Sequence, residues 1–109
     1  MDAYVGLDVS KEETRFCVMD AGGKVLAQGQ ALSDPGSLFA ALREHGLCPE
    51  RIVLETGTLS GWLARGLRDR GLTVEVIDAR QAHAVMKLQH NKTDKNDAHL
   101  LADLARTGF

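Results

Sequence analysis

A chain of 109 residues, 44% hydrophobic and 26% charged, is long enough for one folded core and short for two. Its formal net charge of −2 excludes a protein that coats nucleic acid by bulk charge, so any phosphate contact must be local. No apolar run is long enough to span a bilayer, no basic cluster leads into an apolar leader, and Cys17 and Cys48 lack metal-type spacing. The expectation is a single cytoplasmic domain with no membrane contact and reduced, packing thiols.

Tyr4 to Ser10 alternates. Val5, Leu7 and Val9 face one way, and Tyr4, Gly6, Asp8 and Ser10 the other. This is a strand with an acid in its interior, where Asp is disfavoured. Gly6, on the acid's face, removes a side chain and admits a ligand or a second backbone. Thr14 to Met19 is a second strand, and Asp20-Ala21-Gly22-Gly23 a hairpin loop. Lys24 to Ala31 completes an antiparallel meander. Ser33-Asp34-Pro35 signals a helix start, with Leu38, Phe39 and Leu42 as the buried stripe and Gly46 as its end. Ile52 to Glu55 reads as a short, buried, parallel strand ending in an acid. Ser60 is expected to cap a helix over 61–70, whose stripe includes Leu63 and Leu67 and which Gly71 ends. Leu72 to Ile77 is a fifth strand. The order β-β-β-α-β-α-β-α predicts an α/β fold, a mixed five-stranded sheet with helices on its faces.

The last segments carry the polar chemistry. Residues 80–93 contain no acid but hold Arg80, Lys87 and Lys92, so a basic connector of this kind suits a phosphate backbone. Its first half has helical character, and 87–93 reads as a loop. Lys92-Thr93-Asp94-Lys95-Asn96-Asp97-Ala98 then opens the final helix, with Asp94 and Asp97 three residues apart. Taking Leu100, Leu101 and Leu104 as its apolar stripe, Asp97 lies roughly 13° from the stripe's mean direction, Asp94 roughly 73° and Asp103 roughly 107°. Asp97 is then expected to face inward, Asp94 to flank it, and Asp103 to meet solvent.

An inward acid is costly unless something neutralises it, and a metal ion does so. In open α/β sheets ligands sit beyond the carboxyl ends of parallel strands. If the first and fourth strands are neighbours, Asp8 and Glu55 lie side by side there, and the last helix can bring Asp94 and Asp97 across the same crevice. Such carboxylates form a hard oxygen site for Mg²⁺ or Mn²⁺. Two ions about 3.5–4 Å apart would clamp both oxygens of a phosphodiester displacement.

Tyr4-Val5-Gly6-Leu7-Asp8-Val9-Ser10-Lys11, Glu55-Thr56-Gly57 and the Lys92–Ala98 segment resemble the N-terminal domain of the DEDD transposases of the insertion-sequence-110 family. The resemblance covers essentially the whole chain. It implies a ribonuclease-H-like fold akin to the Holliday-junction resolvase RuvC, with Asp8, Glu55, Asp94 and Asp97 as a catalytic, metal-binding tetrad. It also implies a recombinase that acts on DNA phosphodiesters, is guided by a structured RNA and works as a homo-oligomer. Arg80, Lys87, Lys92 and Lys95 are the expected nucleic-acid contacts. Family members carry a second, C-terminal domain with a serine nucleophile. Residues 1–109 are expected to form the RuvC-like domain alone, without that partner domain and inactive in isolation.

Two other readings fit some of these features. One is a non-catalytic nucleic-acid-binding or oligomerisation module whose acids hold a structural metal. The other is an ATP-binding half of an actin-like or sugar-kinase-like protein, which also begins on a Gly-Leu-Asp strand but needs a second domain with its own phosphate loop. Guided cleavage with and without Asp8→Asn separates the first from a recombinase.

Overall fold

Alternating side chains and two tight turns set up the N-terminal half of the fold, described here from a computed structural model covering residues 2–46, 49–78 and 97–108. Strand β1 (Tyr4–Val9) pairs antiparallel with β2 (Glu13–Met19), from Tyr4 opposite Met19 to Val9 opposite Thr14. Strand β3 (Val25–Leu32) pairs antiparallel with β2, with a bulge at Val18/Met19. In the hairpin between them Asp20 accepts hydrogen bonds from the Gly22 and Lys24 amides, both at 2.9 Å, and Gly23 takes a positive φ of 90°. Such an Asx-type turn needs a residue free to enter the left-handed region.

Helix α1 (Pro35–Glu44) starts as the sequence predicts. Asp34 is its N-cap and accepts from the Ser37 amide at 2.7 Å, while Pro35 occupies the first turn. Leu38 and Leu42 are buried and Phe39 packs at the margin. Strand β4 (Arg51–Glu55) lies parallel to β1, and β5 (Val74–Ile77) parallel to β4, with helix α2 (Ser60–Asp69) as the crossover. Leu59, not Ser60, is the N-cap of α2, and it makes no side-chain capping bond. Helix α3 (Asp97–Thr107) is the last of the described elements. The expected basic connector, with Arg80, Lys87 and Lys92, lies outside the described residues, as do Asp94 and Lys95.

The sheet order is β3-β2-β1-β4-β5, and β2 alone runs against the others. Both faces are covered. On one, Val5, Leu7, Phe16, Val18, Ile52 and Leu54 meet Leu38 and Leu42 of α1 and Leu63 and Leu67 of α2. Full burial of each such aliphatic side chain is worth about 1.5–3 kcal/mol. On the other, α3 packs across β1, β2 and β4. There Leu101, Leu104 and Ala105 meet Val53 and Ile77, while Ala98 and Ala102 meet Cys17 and Met19.

The buried stripe of α3 departs from the expected one. It runs through Ala98, Leu101, Ala102, Leu104 and Ala105, and Leu100 is only half-buried. Gly6 supplies the reason: a Cβ there would lie 2.2 Å from both the Ala102 nitrogen and the Ala98 oxygen. The helix backbone rests on the strand, so alanines rather than leucines must face it. Of the two partners that Gly6 could admit, it admits a backbone. Asp103, expected in solvent, is half-buried, and Arg106 donates to it through Nε at 2.9 Å while reaching the Ala21 carbonyl at 3.3 Å. Burial beneath α3 pushes the Cys17 thiol up to about 11. Among the described residues no helix is long and apolar enough to cross a membrane.

Candidate active site at the carboxyl ends of β1 and β4

The parallel register of β1 and β4 runs from Tyr4 beside Arg51 to Leu7 beside Leu54. One residue further along the same register are Asp8 and Glu55. Alternation puts both on the α3 face: Asp8 follows Tyr4 and Gly6, and Glu55 follows Val53, which packs on Leu101. Both acids are half-buried. They line one cleft of about 540 Å³ at the carboxyl edge of the parallel strands, with the β1–β2 turn, the β4–α2 loop and Leu101 of α3 as its walls. This is where an open α/β sheet binds ligands.

Both cleft loops are held by buried hydroxyls. Ser60, predicted as a helix cap, is the first residue of α2 and donates its hydroxyl back to the Glu55 carbonyl. That bond fixes the strand end that carries the Glu55 side chain. Across the cleft, Ser33 donates to the Ser10 carbonyl at 2.6 Å and shares a 2.8 Å hydrogen bond with Thr14. The Ser33 amide donates to the Glu12 carbonyl, and the Ser10 amide to the Glu13 carbonyl. The turn after Asp8 is thus tied from both sides.

Sequence reasoning missed these anchors, because a serine near a helix start looks like a cap whichever group it bonds. It also missed Arg15, which stands directly opposite Asp8 in the antiparallel register. Counting outward from the tight turn, Val9 with Thr14 and then Asp8 with Arg15, reaches that pair from sequence alone. Of the acids expected to converge, the structure brings Asp8 and Glu55 together. Asp97 begins α3, but its side chain, like Asp94, lies outside the described residues.

Adjacent carboxylates on one sheet face are hard oxygen donors of the type that Mg²⁺ and Mn²⁺ prefer. Among the described residues no group of three or more His, Cys, Asp or Glu is placed to hold a metal ion. Two carboxylates leave room for further oxygen ligands.

Comparison with curated proteins gives no match. The family model of the IS110 DEDD transposases, described as a transposase, matches residues 5–109. The five-stranded mixed sheet, with its one antiparallel internal strand and helices on both faces, is ribonuclease-H-like. The chain therefore belongs to the DEDD transposases of the insertion-sequence-110 family.

Proposed function

We propose that this domain supplies the carboxylates of a metal-dependent site that cleaves and transfers DNA phosphodiesters during insertion-sequence transposition. The observation that carries the proposal is the placement of Asp8 and Glu55 on adjacent parallel strands, on one face, lining one cleft. Asp94 and Asp97 complete the tetrad, as the family resemblance implies. Bound by these acids, Mg²⁺ or Mn²⁺ would polarise the phosphoryl group and offset charge on the attacking and leaving oxygens. The chain's own contribution is to hold the donors rigidly. Asp8 is fixed within a central strand, and Glu55 is held at a strand end by the Ser60 hydroxyl. The half-buried setting excludes part of the solvent and strengthens every charge interaction within it.

In the same reading, Arg80, Lys87, Lys92 and Lys95 contact a phosphate backbone without reading sequence. A structured guide RNA selects the DNA, a second domain supplies a serine nucleophile, and the full assembly is a homo-oligomer.

Metal-dependent cleavage of target DNA by the full-length protein, compared with Asp8→Asn and Glu55→Gln, tests the proposal. Each substitution removes one charge with little change of shape and is expected to abolish cleavage while DNA binding persists. A binding readout uses the chain itself. Metal at about 100-fold over its dissociation constant adds roughly 2.7 kcal/mol to a protein that binds it. Millimolar Mn²⁺ should therefore raise the melting temperature of the parent and not that of Asp8→Asn. Equal shifts in both, with undiminished cleavage by Asp8→Asn, would reject the site.

A further inference from the structure

A polyanion approaching Asp8 and Glu55 meets two carboxylates, on a chain whose net charge is already −2. Phosphodiester chemistry there needs cations close at hand, and the β1–β2 hairpin provides them. Lys11 lines the cleft beside both acids, at the tip of the turn that follows Asp8. Arg15 sits directly across from Asp8 on β2, and directly opposed residues of an antiparallel pair share a face, about 4.5–5.5 Å apart at Cβ. Read across the sheet, one row therefore runs Arg15, Asp8, Glu55, with cationic Lys11 at its open end. Lys11 and Arg15 are both exposed, and neither takes part in an ion pair among the described residues. Glu12, Glu13 and Arg15 do not themselves line the cleft, and Arg15 is tied to it by its place opposite Asp8.

The turn that presents Lys11 is tied by hydrogen bonds from outside the hairpin as well as within it. Main-chain groups of Ser10, Glu12 and Glu13 are all engaged, two of them by Ser33, whose hydroxyl is in turn held by Thr14. An exposed lysine on a frayed turn sweeps a wide volume, whereas one on a pinned turn has its stem fixed at the cleft's lip. Holding that stem lowers the entropy cost of placing the ammonium on a phosphate.

We propose that Lys11 and Arg15 hold the backbone phosphates of a nucleic-acid strand against Asp8 and Glu55, and that Ser33 is the positioning residue for Lys11. The inference rests on the reading of this cleft as a phosphodiester site, and it assigns the strand's anchoring contacts to the β1–β2 hairpin. The contacts carry no sequence information, because phosphate is common to every sequence.

The test is fluorescence anisotropy of the parent chain and its variants with a labelled DNA oligonucleotide, single-stranded and duplex, over a range of salt in Mn²⁺ buffer. Each lost phosphate contact lowers the slope of log Kd against log salt by about 0.7 on single strands and 0.9 on duplex. Lys11→Gln and Arg15→Gln should each lower it by about that amount, and the double variant by about twice as much, on unrelated sequences alike. Lys11→Arg and Arg15→Lys should keep the parental slope. Ser33→Ala should raise Kd a few-fold in the parent but not in Lys11→Gln, a non-additivity that simple loosening of the fold does not produce. Melting curves confirm that every variant remains folded at the assay temperature. An unchanged slope in the double variant, or no salt-dependent binding by the parent, overturns the proposal. Additive effects of Ser33→Ala and Lys11→Gln remove Ser33 from it. Failure of the underlying reading is distinguishable. If Mn²⁺ raises the melting temperature of the parent and not of Asp8→Asn while the slopes stay unchanged, the metal site stands and the phosphate contacts fall. If Mn²⁺ shifts both proteins equally, the site falls and this inference with it.

Discussion

The two faces of the sheet are packed by different means. Beneath α1 and α2, long aliphatic side chains fill the space between helix and strand: Leu38, Leu42, Leu63 and Leu67 lie on Val5, Leu7, Ile52 and Leu54. Beneath α3 the space is nearly absent at Gly6, which lets the helix backbone touch the strand between Ala98 and Ala102, while Leu101 and Leu104 fill the side toward Val53 and Ile77. The first face is stabilised by apolar volume throughout, the second by apolar volume on one side and close backbone contact at Gly6. It is on the close face that Asp8 and Glu55 emerge, with Leu101 of α3 as a wall of their cleft. A helix seated directly on β1 has little freedom to slide, which suits a site assembled partly from that helix.

The comparison breaks most sharply at Gly6. Any side chain there collides with main-chain atoms, which cannot rotate away. Gly6→Val is expected to cost more than about 4 kcal/mol by denaturant unfolding, the range reserved for severe clashes. It should also expose Cys17, now fully buried with its thiol pushed up to about 11. In a Cys48→Ser background, the parent should resist alkylation at pH 8 and Gly6→Val should react. A parent thiol that labels readily would show that α3 is not seated as described.

On the opposite face the costly change is the reverse one. Leu63→Ala removes a fully buried side chain and should cost about 3 kcal/mol, within the usual span of about 2–5. It should leave Cys17 protected. Equal exposure of Cys17 in Leu63→Ala would mean that the two faces do not fail separately.

A smaller effect is expected at the cleft, where the faces meet. Ser60→Ala deletes the donor to the Glu55 carbonyl and should cost about 1 kcal/mol, the usual net worth of one hydrogen bond. Its mark on metal binding should exceed its mark on folding. A weakened Mn²⁺-dependent rise in melting temperature, recovered in Ser60→Thr, distinguishes positioning of Glu55 from general loosening.

The smallest effect lies at the start of α1. Hydrogen bonds from the Ser37 amide and then from the Ser37 hydroxyl hold the Asp34 carboxyl below its ordinary value of 3.8. A depressed folded pKa means that the unfolded chain binds the proton more tightly. The stabilisation is therefore complete above pH 3.8 and fades as pH falls through the lower folded value. Asp34→Ala should be less stable than the parent at neutral pH, and the gap should close in acid. A gap that persists at the acid end would point to a packing defect instead of a lost cap.

Much of this architecture was legible in the chain. The alternation of β1, the Asp20–Gly23 turn, the Asp34-Pro35 start and the apolar run ending at Glu55 each specify their element through local chemistry. The neighbouring of β1 and β4 was only a condition of the sequence reading, and the observed parallel register meets it, setting Asp8 beside Glu55. What escaped notice depended on contacts between distant segments. A stripe drawn through the leucines favours Leu100 over Ala102 because leucine is more apolar, and nothing near residue 100 announces that Gly6 is pressed against this helix. Ser60 offers the same hydroxyl to a cap or to a carbonyl five residues upstream, and only the placement of β4 decides. Asp103 looked solvated because the reach of Arg106 toward the Ala21 hairpin is a tertiary fact. The acids Asp94 and Asp97 had the most specific sequence signal, and their side chains lie outside the described residues.

The strand order also bears on how the molecule comes together in time. Pairing β1 with β2 closes only a short turn, from Val9 to Thr14, whereas pairing β1 with β4 brings Tyr4 beside Arg51 across the whole β2–β3–α1 segment. Closing the longer loop costs more chain entropy and is the slower event. The meander is therefore expected to form early and the β1–β4 seam late, so that substitutions such as Val18→Ala slow refolding while Val53→Ala mainly speeds unfolding. Stopped-flow chevrons of the two variants would reveal the order. Asp8 and Glu55 would then meet only in the last stage of folding, and a nascent or partly unfolded chain would carry no competent carboxylate pair.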